Sequence, residues 1–373
     1  MHFFIDREIF LKSLSRVQGI VEKRNTIPIL ANVLLETDEN HISVTATDLE
    51  VGMKSSYPAE IKNPGKITVS AKKLFEIIKE LPNEQISFST KDNCWVEIRC
   101  DKSCFNIVGL SADEFPKFSY PDKENYLDIQ SSLIKEMIDK TYFSISNDET
   151  KYNLNGVYIK TVDVEDETKL FFIATDGHRL SMINKSVNKN NIQEFNKGII
   201  FPKKGIFEIR KIAEEENSTL KFGFMENNAV IKKDNIIIIM RLVDGEFPDY
   251  ERVIPKQNEF SVVINRLDFL HALRRISVLS NEKSKGIKTA LKNNLLTISS
   301  SNPDFGDAHE EIDVEYSGPD ISIGYNARYI MDVLQSHDCE KMELNIKDNL
   351  SPGILKTSGE NNDYLAVIMP MRL

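Results

Sequence analysis

The sequence FFIDREIFLKSLSRV at residues 3–17 places a short apolar strand directly before an amphipathic helix. The same arrangement returns as LDIQSSLIKEMIDKT at 127–141 and as VVINRLDFLHALRRI at 262–276, with an isoleucine at the same place in each copy. Copies separated by about a third of the chain indicate that one folding unit is present in tandem. The spacing therefore predicts three similar units.

Each copy continues with an apolar strand that ends in a polar turn. The three strands read ISVTATDLEVGM at 42–53, LFFIATDGHRLSM at 170–182 and LTISSSNPDFG at 296–306. A Thr-Asp pair marks the turn in the first two copies and is absent from the third. The loop of the third unit is therefore expected to match the others less closely.

A second helix follows in each copy, in ITVSAKKLFEIIKEL at 67–81, IIFPKKGIFEIRKIA at 199–213 and ISIGYNARYIMDVL at 321–334. The remaining sequence alternates apolar and polar residues, as in 84–100, a pattern typical of antiparallel hairpins. Two helices and an antiparallel sheet in each unit predict an α+β fold in which the helices pack on the sheet.

The boundaries between the units follow from two matching segments, ADEFPKF at 112–118 and DGEFPDY at 244–250. Each contains a Phe-Pro pair, and the residue before a proline favours the extended backbone of a connecting segment. We predict three domains, at residues 1–123, 124–250 and 251–373.

Composition restricts the class of protein. The chain has 373 residues, of which 41% are hydrophobic and 28% charged, as in folded globular proteins. Its longest apolar runs, such as Ile236–Met240, are far shorter than the roughly 18 residues that cross a bilayer. Charged residues from Asp6 onward interrupt any signal peptide. Four unevenly spaced cysteines are too few for a disulfide framework, and they lie at Cys94, Cys100, Cys104 and Cys339. We expect a cytoplasmic protein with reduced thiols and no membrane partner.

Charge is unevenly distributed along the chain. The predicted helices span residues 6–23, 72–80, 131–144, 203–213, 266–276 and 328–337. They contain 17 basic and 10 acidic residues, whereas the whole chain has a net charge of −10. A basic face shared by the helices would bind a polyanion through its phosphates. The alternative is that helix surfaces favour Lys and Arg in any case.

No complete catalytic constellation is present in the sequence. Asp176, His178 and Ser181 lie close together, but Asp176-Gly177 is also a strong turn pair. Acidic clusters such as Glu214–Glu216 could hold Mg²⁺, and a solvated helix end is the simpler interpretation. Trp95 lies in an alternating strand and is predicted to be in the core. No residue pattern requires a metal, nucleotide or organic cofactor.

Four motifs in fixed order resemble the bacterial DNA polymerase III beta subunit family. They are TDGHRLS at 175–181, RLVDGEFPDY at 241–250, LSNEK at 279–283 and VIMPMRL at 367–373. The resemblance covers essentially the whole chain and implies a non-catalytic sliding clamp, in which two chains join head to tail into a closed ring around duplex DNA. It also implies the partners: DNA of any sequence, a second copy of the chain, the polymerase III catalytic subunit, a clamp loader, and other polymerases and repair proteins that carry clamp-binding peptides.

The resemblance also assigns residues to three sites. For DNA contact it points to Arg24 and, more loosely, to Lys72, Lys73, Lys203 and Lys204. For the interface between subunits it points to Phe105, Val278 and Leu279. For a pocket between the second and third domains, where an extended peptide with apolar anchors docks, it points to Leu154, Thr175, Gly177, His178, Arg179, Leu180, Pro248, Arg252, Val253, Asn326, Tyr329, Val367, Met369, Pro370, Met371 and Arg372.

Two other hypotheses remain open from the residues themselves. One is an enzyme that uses an acidic metal site or the Asp176–His178 pair. The other is a monomeric scaffold that binds peptides in the same pocket without forming a ring.

Overall fold

A computed structural model describes residues 1–21, 27–117, 126–165, 167–187, 193–214, 218–225, 227–255, 259–359 and 363–372. These residues form six α-helices and 25 β-strands. The helices are α1 Arg7–Val17, α2 Ala71–Glu80, α3 Ser131–Asp139, α4 Lys203–Ile212, α5 Arg266–Ile276 and α6 Ala327–Gln335. All six lie where the repeats predict helices, although α1 ends six residues earlier than expected.

The strands alternate with these helices along the chain. The first ten are β1 His2–Asp6, β2 Asn32–Thr37, β3 His41–Thr47, β4 Val51–Pro58, β5 Glu60–Asn63, β6 Gly65–Ser70, β7 Gln85–Thr90, β8 Trp95–Cys100, β9 Ser103–Leu110 and β10 Leu127–Gln130. The next seven are β11 Gly156–Val164, β12 Glu167–Thr175, β13 Arg179–Val187, β14 Ile199–Pro202, β15 Thr219–Met225, β16 Asn228–Lys233 and β17 Ile236–Arg241. The last eight are β18 Phe260–Asn265, β19 Gly286–Lys292, β20 Leu295–Asn302, β21 Gly306–Glu315, β22 Ile321–Asn326, β23 Lys341–Ile346, β24 Gly353–Thr357 and β25 Tyr364–Ile368.

The step from strand to helix is fixed by the residue at the junction. Asp6, the last residue of β1, accepts hydrogen bonds from the backbone N–H groups of Glu8 and Ile9 at 2.8 and 3.2 Å. Asn265, the last residue of β18, caps the first turn of α5 in the same way. A short polar side chain thus satisfies N–H groups that the start of a helix leaves without partners. No loop is needed between the two elements.

The chain divides into two compact units, residues Met1–Ser132 with Phe207–Leu242 and residues Leu133–Ile206 with Val243–Leu373. The first unit contains a 13-stranded sheet in the order β10-β15-β16-β17-β4-β3-β2-β6-β9-β8-β7-β1-β5. The second contains a 12-stranded sheet in the order β14-β11-β12-β13-β25-β24-β23-β18-β21-β20-β19-β22. The pairings between these strands are antiparallel, as the alternating sequence predicts.

Two pairs of helices, α1 with α2 and α5 with α6, pack on these sheets. In the first unit α1 contacts α2 and also β3 and β4, and it buries Phe10 and Leu14. In the second unit α5 contacts α6, β20 and β21, and it buries Phe269 and Leu273. The predicted α+β arrangement of two helices on an antiparallel sheet is confirmed.

Trp95 is not in the core, and the prediction for it was wrong. Its exposed fraction is 44%. Successive side chains of a strand point to opposite faces, and β8 turns Val96 and Ile98 inward. Trp95 therefore lies on the outer face, next to Val108 of β9.

No helix within the described ranges is long and apolar enough to cross a bilayer.

Candidate functional site

The turn between β12 and β13 forms one wall of the site, and its own side chains hold its shape. The Thr175 hydroxyl donates to the Arg179 carbonyl at 2.6 Å, and the N–H of Gly177 donates to the Thr175 hydroxyl at 3.1 Å. Asp176 Oδ1 accepts from the N–H groups of His178 and Arg179 at 2.9 and 3.1 Å. These bonds fix the turn before any ligand arrives.

The backbone conformation at position 177 favours glycine, whereas the space around the residue does not demand it. Its φ is +91°, in the region that disfavours side chains, while a Cβ there would come no closer than 3.9 Å to the Lys151 amine. The first sequence repeat makes the same turn with Leu49, at φ 79°. The Thr-Asp pair therefore specifies the turn in both repeats.

Arg179 is held in a preformed position beside this turn. Its side chain is only 9% exposed, and its guanidinium donates to Asp176 Oδ2 at 3.1 Å, to Asp332 Oδ2 on α6 at 2.6 Å, and to the Phe143 carbonyl. The Tyr329 ring lies 4.4 Å from the guanidinium carbon. Two carboxylates and a carbonyl compensate for burial of the cation, so Arg179 joins the β13 turn to α6.

Next to Arg179 lies a cavity of about 110 Å³ with mainly apolar walls. Three of its lining residues, Leu180, Tyr250 and Val367, form one buried cluster with Ile173. The lining residues are Leu154, Thr175, Gly177, Arg179, Leu180, Pro248, Asp249, Tyr250, Val253, Val367 and Met369. Such a cavity can take an apolar side chain, while the polar rim orients the chain that carries it.

Nine of the sixteen residues assigned to the pocket line this cavity. The other seven do not, although several support its wall. The N–H of Met369 donates to the His178 carbonyl at 3.0 Å, and that of Met371 donates to the Gly324 carbonyl at 2.8 Å. Tyr329 contacts Arg179, and Arg252 is bound to the rim carboxylate of Asp249 at 2.7 Å. Asn326 caps α6; the remaining two, Pro370 and Arg372, follow β25 without lining the cavity.

Sequence reasoning missed two lining residues, Asp249 and Tyr250. Both lie in the motif RLVDGEFPDY, which gave the resemblance, so the signal was present but was not assigned to the wall. It also missed Asp332, which is 153 residues from Arg179 in sequence. No local pattern connects those two side chains.

The geometry does not assemble the hydrolase alternative. Ser181 is 1% exposed and its hydroxyl lies 2.8 Å from that of Ser144. The Asp176 carboxylate already accepts hydrogen bonds from the backbone of the turn and from the Arg179 side chain. His178 is exposed on the same turn. Among the described residues no group of three or more His, Cys, Asp or Glu is placed to hold a metal ion.

The lysines assigned to DNA contact begin α2 and α4. Lys72 and Lys73 are exposed, and the hydrogen bond from Lys73 to Glu76, at 2.9 Å, lowers the pKa of that carboxyl. Lys203 is half-buried, donates to the Asn147 side chain, and has its pKa lowered by burial. Lys204 is also half-buried. Arg24 lies outside the described residues.

The excess of basic residues on the helices persists in the structure. The six α-helices contain 15 basic and 8 acidic residues, whereas the whole chain carries −10. Helix surfaces are thus the basic part of an acidic protein.

The residues assigned to the subunit interface lie at or near exposed strand edges. Phe105 is 38% exposed on β9. Among the described residues, 103–108 of this strand pair with β8 alone, and only Gly109 and Leu110 pair with β6. Val278 is 78% exposed and Leu279 is half-buried, in the short turn after α5. In the second unit, within the described ranges, residues 306–313 of β21 pair only with β20. Unpaired strand edges with apolar side chains are sites where another chain can add to the sheet.

Comparisons with known proteins agree over the full length of the chain. Family models of the DNA polymerase III beta subunit match its N-terminal domain at residues 1–119, its central domain at 128–249 and its C-terminal domain at 251–372. The beta sliding clamp of Pseudomonas aeruginosa is 36% identical over 374 residues, with 100% of both chains covered.

Solved structures give the same result. The beta sliding clamp of C. crescentus has a TM-score of 0.92 at 35% identity, and a sliding clamp of Bartonella birtlesii, solved bound to griselimycin, has a TM-score of 0.94 at 32% identity. In both cases 100% of each chain is covered.

Tandem α+β repeats with basic helices and an apolar cavity thus define a DNA clamp. The chain belongs to the DNA polymerase III beta subunit family, the beta sliding clamps. It is a processivity factor that encircles DNA and tethers the replicative polymerase, and it is not an enzyme.

Proposed function

We propose that the cavity beside Arg179 is the site where this clamp binds the peptides of its polymerase and of its other partners. The observation that carries the proposal is the preformed apolar cavity itself, with Leu154, Leu180 and Val367 in its walls. An extended peptide can place an apolar side chain there. Half-buried Met369 on the rim can adapt to different ligands, because its side chain is unbranched and flexible. All sixteen assigned residues remain part of the proposal, nine of them as walls of the cavity.

The experiment is a titration of the clamp with a fluorescent peptide from the polymerase III catalytic subunit, and griselimycin is the competitor. Met369→Ala is expected to weaken binding up to about tenfold, equivalent to about 1.4 kcal/mol. Deletion of residues 369–373 is expected to abolish binding and leave the assembly of two chains intact. Met225→Ala, which changes an equally half-buried methionine of the first unit, is the control. Unchanged affinity in both Met369 variants would place the peptide elsewhere.

We further propose that two chains close into a ring through Phe105 of one chain and Val278 and Leu279 of the other. The support is the pair of strand edges described above, on β9 and on β21. The two edges are different surfaces, so a contact between them is head to tail. Such a contact closes a ring when the rotation that relates one subunit to the next returns to the first subunit. Closure would also remove the exposed edges.

Val278→Asp tests the interface, because a charge in a desolvated apolar contact is costly. The expected result is a monomer at micromolar concentration in analytical ultracentrifugation, with peptide affinity retained. Val164→Asp, at another exposed valine, should remain dimeric. A dimeric Val278→Asp protein would refute the proposed interface. A closed ring should also slide off linear DNA and persist on a circle, so equal loss from both would argue against topological linkage.

Three further assignments belong to this proposal. The domain boundaries fall after residues 123 and 250, and the family matches at 1–119, 128–249 and 251–372 support them. Phosphates of duplex DNA contact Arg24, Lys72, Lys73, Lys203 and Lys204. The clamp acts in the cytoplasm with its loader and needs no cofactor.

A further inference from the structure

The segment 247–253 supplies a large part of the cavity wall, through Pro248, Asp249, Tyr250 and Val253. Aromatic side chains hold this segment on β11. The Phe247 ring stacks on Tyr158 with centroids 4.7 Å apart and planes 3° apart. The Tyr250 ring lies 6.5 Å from the same tyrosine. The position of this wall therefore depends on side chains of the neighbouring strands.

Lys160 is the charged member of this group. It lies two residues after Tyr158, on the same face of β11, and directly opposite Phe171 of β12. Its amine is 4.9 Å from the centroid of the Tyr250 ring and 5.9 Å from that of Phe171. The amine is also 3.6 Å from Glu251 Oε1. One lysine thus contacts two successive residues of the wall segment.

The surroundings make these contacts stronger than those of a surface lysine. The Lys160 side chain is only 20% exposed, and loss of hydration strengthens the attraction between a cation and an aromatic face. Burial opposes the charge, but the Tyr250 hydroxyl and Glu251 outweigh it, so the pKa of Lys160 is raised. Burial raises the pKa of Tyr250 as well. At neutral pH a charged amine therefore faces a neutral phenol ring.

We propose that Lys160 is a positioning residue of the peptide site, which fixes the Tyr250 ring as a wall of the cavity and so increases affinity for partner peptides without lining the cavity itself. The inference rests on the proposed function of this cavity. It assigns a role in ligand binding to a side chain that lies outside the four sequence motifs of the family resemblance.

The test compares three variants in the peptide titration. Lys160→Met keeps the length of the side chain and removes its charge, and it is expected to weaken binding about three- to tenfold. Lys160→Arg keeps the charge and is expected to stay within about twofold of wild type. Lys169→Met, a half-buried lysine on β12, should leave affinity unchanged. Equal affinities for Lys160→Met and wild type, or equal losses for Lys160→Met and Lys160→Arg, would overturn the proposal.

A double-mutant cycle shows whether Lys160 acts through Tyr250. In a Tyr250→Leu background, Lys160→Met should cause no further loss, because the ring that the lysine holds is gone. A full additional loss would overturn the proposal. Thermal unfolding of each variant identifies any that fail to fold.

A pH profile keeps the test valid even when Lys160→Met does not fold. Peptide affinity of the wild type should fall only when the pH exceeds the pKa of Lys160, which lies above the ordinary lysine value of about 10.4. Affinity of Lys160→Arg should not show this fall, because arginine stays charged. Identical profiles would overturn the proposal. Failure of wild-type clamp to bind the peptide would instead refute the proposed function, so the two failures are distinguishable.

Discussion

Acidification from pH 8 to pH 5 should destabilise the second unit through one residue, His337. This residue follows α6 and is 3% exposed. Its Nδ1 lies 3.0 Å from the Val333 carbonyl and 3.0 Å from the Ser336 hydroxyl, and its ring packs edge-on against Tyr364 with centroids 4.2 Å apart. Among the described residues, nothing hydrogen-bonds to its Nε2. The site is built for a neutral imidazole.

Burial lowers the pKa of His337 to about 4, from an ordinary value of 6.5. The charges of Lys140 and Arg266 add to this effect, while the Val333 carbonyl and Asp338 oppose it. Because the pKa is depressed in the folded state, the unfolded state binds the proton more readily. The stabilising contribution is therefore complete above pH 6.5 and is lost as pH falls toward 4. With about 1.4 kcal/mol for each pKa unit, the loss is about 2 kcal/mol at pH 5 and about 3 kcal/mol below pH 4.

Hydrogen exchange of the α6 amide groups at pH 8 and pH 5 measures this loss as a free energy of opening. Wild type should lose about 2 kcal/mol more than His337→Gln between the two values of pH. His309→Gln, at an exposed histidine of β21, should behave like wild type. If the free energy of opening fell equally in wild type and in His337→Gln, the reasoning would be refuted, because its pH dependence would then come from other groups.

Two further predictions concern the cation at the cavity and the basic helices. Asp332→Ala should lower the free energy of unfolding by about 1.5–3 kcal/mol, since Arg179 loses a charge-assisted hydrogen bond. Asp332→Asn keeps a hydrogen-bond acceptor, so it should lower the free energy of unfolding by less than half as much. Equal losses of stability in the two variants, measured by thermal unfolding, would contradict this prediction. Each lost phosphate contact should reduce the slope of log affinity against log salt by about 0.9. The assay is fluorescence anisotropy of a labelled DNA duplex, measured with alanine variants of Lys72, Lys73, Lys203 and Lys204. Lys347→Ala, at an exposed lysine, is the control. A slope that none of the four substitutions changes would contradict the prediction.

The sequence by itself determined the repeat and the helices. The cap of each junction and the apolar spacing that follows it lie within a few residues, so Asp6 and Asn265 specify where α1 and α5 begin whatever surrounds them. Helix ends are less local: α1 stops at Val17, well before the predicted residue 23. The Thr-Asp turn was equally readable, because all its hydrogen bonds close within five residues.

The tertiary structure alone decided which side chains meet at the cavity. Arg179 donates a hydrogen bond to Asp332, which lies far from it in sequence, and Lys160 contacts the ring of Tyr250. Trp95 shows the same limit, since alternation predicts that two faces exist but not which of them is covered. Caps and periodicity act over a few residues, whereas the pairing of charges and the burial of one sheet face depend on how segments far apart in sequence pack, because burial is what makes those contacts strong.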